Sequence, residues 1–119
     1  GTEGCHLHIS NALTAIYLAT GQDTACVAEN SIGHYQIEPL EDEVKFRLTL
    51  PSLTVGTVGG GTRLLAQHQN LKLLGCDTGD DASKKFAEII CASALCLEIS
   101  LFSAIASHTF TKAHMKYGR

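Results

Sequence analysis

Three groups of residues have types and spacing suited to chemistry. The densest is Gly56-Thr57-Val58-Gly59-Gly60-Gly61-Thr62, which packs four of the chain's eleven glycines into six positions. Between a strand and a helix, such a run lets backbone N–H groups approach phosphate or carboxylate oxygens. A tight turn packed against neighbouring backbone asks for the same glycines, and the run matches neither G-x-G-x-x-G nor the lysine-containing P-loop. The second group is Gly21-Gln22-Asp23. Asp23 suits a helix N-cap, worth about 1 kcal/mol, and equally a catalytic carboxylate at a turn. The third is His114, on a basic stretch with Lys112, Lys116 and Arg119. An imidazole there is either a surface residue or a proton donor near neutral pH.

Two further sets weigh differently. Glu98 interrupts an apolar run, so its carboxylate must be paired, hydrogen-bonded or neutralised; a polar tether to another segment is the simplest role. Cys5, His6 and His8 do not complete a zinc set, because no C-x-x-C or H-x-x-x-H pair accompanies them. His8 and Asn11, three residues apart at a helix start, could face one ligand or serve as turn and cap residues.

The elements that must position these groups follow from periodicity. Ile9 to Thr20 reads as a helix capped by Ser10 or Asn11, with Leu13, Ile16 and Tyr17 on one face and Gly21 as its stop. Asp23 would cap a second short helix, Thr24 to Glu29. Val44 to Leu50 alternates strictly and reads as a half-buried strand. His34 to Glu38 is its weaker antiparallel partner, across an acidic turn, Pro39 through Glu43. Thr62 is placed to cap a helix from Arg63 to Leu74 that ends at Gly75. A polar loop, Asp77 to Asp81, leads to a long helix from about Ser83 to Ser107, and a last helix covers about Phe110 to Tyr117. The long helix is apolar nearly all round and must be surrounded by protein. Few other elements are at hand, so partner segments or an oligomer are expected to cover it. The fold class is α+β: mostly helical, with a short antiparallel strand pair and one long buried helix.

Composition narrows the function. The chain has 119 residues and 45% hydrophobic residues, with mean hydropathy +0.09. That excludes intrinsic disorder and allows one core. A net charge of −3 and a pI near 6.0 exclude a nucleic-acid binder that works by bulk positive charge. Residues 1–60 hold two basic against seven acidic side chains, and residues 61–119 hold seven against five. The second half therefore suits an anionic ligand better. Five cysteines and no secretory signal suggest free, buried thiols in a reducing compartment. Residues 86–106 could suit a membrane by apolarity, but Glu98 within the run and Lys84-Lys85 at its end favour a core helix without membrane contact. The only methionine is Met115 and the chain opens on Gly1, so it reads as a piece of a longer protein.

Four ordered stretches also resemble one family. Leu50-Pro51-Ser52-Leu53-Thr54-Val55-Gly56-Thr57-Val58-Gly59-Gly60-Gly61-Thr62 closely resembles the glycine-rich signature of class I hydroxymethylglutaryl-CoA reductases. His8-Ile9-Ser10-Asn11 leading to Thr20-Gly21-Gln22-Asp23 agrees with that family, as do Glu98-Ile99-Ser100-Leu101 and Lys112-Ala113-His114-Met115-Lys116-Tyr117-Gly118-Arg119. The resemblance spans essentially the whole chain and implies the C-terminal part of the family's catalytic region, within its large substrate-binding domain. It implies reduction of hydroxymethylglutaryl-CoA to mevalonate and CoA by two NADPH, through a hemithioacetal and mevaldehyde. By the same resemblance, Asp23 is the carboxylate that orients and tunes a lysine at the reacting carbonyl, and His114 protonates the departing CoA thiolate. His8, Asn11, Ser100 and Leu101 match positions in the substrate and CoA pocket. Gly56, Gly59, Gly60 and Gly61 would lie against the nicotinamide, with Arg119 suited to cofactor phosphates. The family's active sites form between subunits, so a homo-oligomeric parent is implied, cytoplasmic and open to anchoring at the endoplasmic reticulum by a region outside this chain.

Some positions depart from the family pattern. Cys96-Leu97 stands where Ala-Gly is usual, Thr109 where a histidine is common, and Thr24-Ala25-Cys26 where Pro-Ala-Gln is usual. The family's catalytic glutamate and lysine, and its small cofactor-binding domain, would lie upstream of Gly1. On that reading the 119 residues alone are inactive. A non-catalytic anion- or nucleotide-binding module around Gly56 to Thr62 is the alternative.

Overall fold

A computed structural model describes the backbone of residues 6–117 and the side chains of residues 9–107. His8 and His114 therefore have described backbone only, and Arg119 and Cys5 lie outside the described residues. The α+β reading holds: four α-helices accompany one two-stranded sheet among the described residues.

Helix α1 runs His6–Thr20. It starts earlier than expected, so neither Ser10 nor Asn11 caps it. Ser10 is instead a helix-interior residue whose hydroxyl shares a 2.8 Å hydrogen bond with Ser31. Ile9, Leu13 and Tyr17 are each at most 1% exposed and form the inward stripe. The helix ends as expected. Gly21 adopts φ +76°, and the Gln22 N–H donates to the Tyr17 carbonyl at 2.9 Å, the six-residue closure of a glycine C-cap. Asn70 donates its side-chain N–H to the Ala19 carbonyl at 2.7 Å, so a distant helix satisfies another orphan carbonyl of the last turn.

The expected short helix after Asp23 is split into a 3-10 turn, Thr24–Cys26, and one turn of α-helix, α2, Val27–Asn30. Strands β1 (His34–Pro39) and β2 (Val44–Thr49) pair antiparallel, with Tyr35 opposite Leu48 and Ile37 opposite Phe46. Those four share one face, as the alternation requires. The ring of Phe102 meets Tyr35 edge-on at 5.2 Å and Phe46 at 6.0 Å. That contact seats the sheet on the long helix.

The region after the glycine run departs from expectation. A 3-10 turn covers Gly60–Arg63, and α3 begins only at Leu65 and runs to Leu73. Thr62 does not cap α3; its hydroxyl donates to the Gly59 carbonyl. The residue ahead of α3 is Leu64, extended and without a side-chain cap. Tight folding of the glycines consumes the threonine locally, so the helix starts two residues late. Gly75 (φ +73°) ends α3 by the same device as Gly21, with the Cys76 N–H on the Leu71 carbonyl at 2.8 Å.

The two expected C-terminal helices are one. Helix α4 spans Ala82–Tyr117, 36 residues. Nothing between Ser107 and Phe110 can stop it: His108 and Thr109 are mediocre helix formers, but neither is Gly or Pro. Ala82, Phe86, Ile90, Ala94 and Glu98, four residues apart, form its buried stripe. Phe86, Ile90 and Ala94 join Ile9, Leu13, Tyr17, Val27, Leu71 and Cys76 in the core. Burial of α4 is nonetheless narrower than expected. Leu97 is 39% and Ile105 52% exposed, because one helix and a hairpin cannot enclose an apolar rod that stretches the fold to 59 Å. By length and composition Ala82–Ser107 would also suit a membrane span; the packed stripe, with Glu98 only 2% exposed, suits a helix seated on protein.

The four described thiols are free but less buried than expected. Cys76 is buried, Cys26 and Cys91 are half-buried, and Cys96 is exposed. Burial pushes the Cys91 thiol up from its ordinary value, towards the unreactive protonated form.

Candidate active-site cleft

The end of α1 and the glycine run meet through bare backbone. A side chain at Gly21 would run into the Gly61 carbonyl group and come within 2.6 Å of the Thr62 nitrogen. A Cβ at Gly61 would in turn lie 2.9 Å from the Gly21 carbonyl oxygen. The two glycines permit each other's approach, which local sequence could not reveal across 40 positions.

Gln22 reinforces the junction. Its side-chain N–H donates to the Gly56 carbonyl at 2.8 Å, and its carbonyl accepts the Gly56 N–H at 2.9 Å. A second anchor lies beneath. Asn30 donates to the Tyr17 hydroxyl at 2.6 Å and to the Thr54 carbonyl at 3.0 Å, while the Thr54 hydroxyl donates to the Asn30 carbonyl oxygen at 3.2 Å. The Tyr17 O–H points to the same Thr54 carbonyl at 3.4 Å. Burial raises the Tyr17 phenol pKa, opposed by the Asn30 hydrogen bond, so it stays a neutral donor.

Between these parts lies an open cleft of about 540 Å³, walled by the glycine run, Gln22, Asp23 and Leu64. That is ample for a small ligand or the working end of a larger one. Asp23 sits exposed at its rim and fills one of the two roles its position suggested. Its Oδ1 accepts the Ala25 N–H at 2.9 Å, as an N-cap. Its Oδ2 accepts from the Cys26 thiol at 3.9 Å. The cap and the site reading are therefore compatible.

Gly56, Gly59 and Gly60 face open space; a Cβ at any of them meets nothing within 4 Å. A ligand face can approach the backbone there. Among the described lining residues Asp23 is the only charged one. A phosphate cradle would ask for cations or an aligned helix N-terminus. Here α3 starts beyond the loop, and the charge at the rim is negative. Among the described residues the wall therefore brings no cation to an anion.

Of the remaining sequence candidates, Asn11, Ser100 and Leu101 do not line this cleft. Asn11 is exposed on α1, about 15 Å along the axis from Gly21 at 1.5 Å per residue. Ser100 is exposed and Leu101 half-buried on α4, beside the Phe102 contact with the sheet. The side chains of His8 and His114 lie outside the described residues. Sequence reasoning missed Gln22 and the Tyr17–Asn30–Thr54 network. The available signal was a carboxamide directly after a C-cap glycine, and an asparagine among apolar neighbours.

A carboxylate stands at the mouth of a backbone-walled cleft, held by a helical α+β scaffold. Comparison with known proteins gives the family. The model described as hydroxymethylglutaryl-coenzyme A reductase matches residues 1–119. A 3-hydroxy-3-methylglutaryl-coenzyme A reductase of Methanocaldococcus jannaschii is 46% identical over 116 residues, which cover 98% of this chain and 28% of the relative. The enzyme of that name from Aeropyrum pernix is 43% identical, with 100% of this chain and 29% of the relative covered. Reductase 2 of Gossypium hirsutum is 42% identical over 98% of this chain and 20% of its own length. The chain belongs to the hydroxymethylglutaryl-coenzyme A reductase family, a family of enzymes, and spans under a third of these relatives' length.

Proposed function

We propose that residues 1–119 form the C-terminal section of a substrate-binding catalytic domain and one wall of a composite active site. The complete site reduces hydroxymethylglutaryl-CoA to mevalonate and CoA. The observation that carries this reading is the clamp of Asp23 onto the glycine run, through the Gly21–Gly61 contact and the Gln22–Gly56 hydrogen bonds.

NADPH, when bound, supplies hydride. The open backbone of Gly56, Gly59 and Gly60, with Gly61 behind them, fits its nicotinamide ring, because side chains there would occupy the approach. Cations for its phosphates come from elsewhere; Arg119, by its resemblance, is one candidate.

Asp23 acts on the substrate carbonyl through a lysine contributed from outside this chain. With Oδ1 fixed by the Ala25 N–H, the carboxylate is already oriented and can hold an ammonium by Oδ2. Such a preorganised charge pair stabilises the negative charge that develops on the carbonyl oxygen. His114 acts on the leaving group: as the C–S bond breaks the electron pair stays on sulfur, and the imidazolium passes its proton to the thiolate. With pKa values of about 6.5 and 8.5 that transfer is downhill.

His8, Asn11, Ser100 and Leu101 serve the substrate and CoA in this reading. That Asn11, Ser100 and Leu101 lie outside the Asp23 cleft supports a site completed by other segments or a second subunit, as does the exposed apolar surface of α4.

In the longer enzyme, His114→Gln is expected to lower kcat about 100-fold, the scale of a lost general acid. Steady-state NADPH oxidation checks this. A near-normal rate assigns thiolate protonation to another group.

A further inference from the structure

We propose that Gln22 is a positioning residue for this reduction, a carboxamide clamp that fixes the spacing between Asp23 and the glycine run. The inference rests on the active-site reading above and adds a residue that neither the motifs nor the family comparison assigns.

The argument is geometric. Gln22 lies between the left-handed Gly21 and Asp23, so its backbone is set by the end of α1. Its side chain donates to the Gly56 carbonyl at 2.8 Å and accepts from the Gly56 N–H at 2.9 Å. Both backbone groups of one glycine are thus held by one planar group. A second donation, to the Thr20 carbonyl at 3.3 Å, ties the carboxamide back to the helix end.

Gly56 needs such a device. It has no side chain to pack, and a Cβ at Gly56, Gly59 or Gly60 would touch nothing. The Tyr17–Asn30–Thr54 network secures the chain only as far as Thr54, and the Thr62 hydroxyl bonds within the loop itself. Beyond Thr54, the described side-chain tie from the helix end to the loop at Gly56 is Gln22. If it lets go, the Gly21–Gly61 contact and the packing of Val55 still hold the loop to the helix end, but no side chain fixes the Gly56 peptide against Asp23. Misplacement by about 1 Å can cost about 100-fold in rate.

Chemistry supplies a discriminating variant. A carboxylic acid offers a donor and an acceptor in one plane, as a carboxamide does, whereas a carboxylate only accepts. Gln22→Glu therefore keeps the bond from the Gly56 N–H but turns an oxygen towards the Gly56 carbonyl until it is protonated.

The test uses the full-length enzyme. Gln22→Leu is expected to lower kcat about 10- to 100-fold, with KM for hydroxymethylglutaryl-CoA within about 3-fold. Hydrogen exchange at Gly56 should accelerate at least about 10-fold. For Gln22→Glu, whose carboxylate is ionised at neutral pH and can only accept, kcat should fall at least as far as for Gln22→Leu. A leucine variant with kcat within about twofold of wild type, unchanged Gly56 exchange, or a Gln22→Glu variant at wild-type kcat would each overturn the clamp. Wild-type enzyme without reductase activity would overturn the site reading alone. Exchange would then still decide the clamp: faster in the leucine variant supports it, unchanged removes it.

Discussion

A Gly21→Ala enzyme is expected to lose roughly 3 kcal/mol or more of stability in the domain that holds this segment. Two costs add. At φ +76° an alanine carries left-handed strain of about 1–2 kcal/mol. Its methyl group also falls on the Gly61 carbonyl and within 2.6 Å of the Thr62 nitrogen, where only backbone could give way. Gly59→Ala is the matched control: φ is +82°, but the space beyond is open, so it should cost about 1–2 kcal/mol. Thermal unfolding separates them, with a fall of about 6–12 °C expected for Gly21→Ala in a domain of ordinary size. Equal falls for the two variants would mean that the helix end does not press on the glycine run.

The second large effect concerns Asp23. Asparagine caps a helix about as well as aspartate, so Asp23→Asn keeps the bond from the Ala25 N–H while removing the charge. Stability should stay within about 0.5 kcal/mol of wild type. Turnover should fall about 1000-fold, because a neutral amide cannot hold and polarise the lysine that meets the substrate carbonyl. Asp23→Ala loses cap and charge together, with a further loss of about 1 kcal/mol in stability. If Asp23→Asn works at a near-normal rate, the residue is a cap and no more.

Signals that act over a few residues were legible in the sequence. Gly21 and Gly75 end helices because a positive φ is needed within one turn. Asp23 caps because its side chain reaches the N–H two positions on. The strand pair declares itself by strict alternation. What escaped depends on partners far along the chain or on the absence of a breaker. Ser10 looked like a cap until Ser31, 21 residues away, offered its hydroxyl. Thr62 looked like a cap until the 3-10 turn of Gly60–Arg63 drew its hydroxyl to Gly59. The break expected near residue 108 had no glycine or proline to make it, and α4 runs through.

The site shows the same division. The glycine run and Asp23 each stood out as chemistry-bearing, but spacing could not tell that they share a cleft. Their union rests on two missing side chains, at Gly21 and Gly61, and on a glutamine whose partner is Gly56. None of these has a local periodic signal. The anion reading of the glycine run weakened for an equally non-local reason: the charge brought to its rim is a carboxylate.

The central claim is that this segment is one wall of a site whose lysine and glutamate lie in other segments. The most direct test is NADPH oxidation driven by hydroxymethylglutaryl-CoA, measured side by side for the isolated 119-residue chain and the full-length enzyme. Turnover is expected from the full-length enzyme and none above background from the isolated chain. Turnover by the isolated chain would contradict the claim.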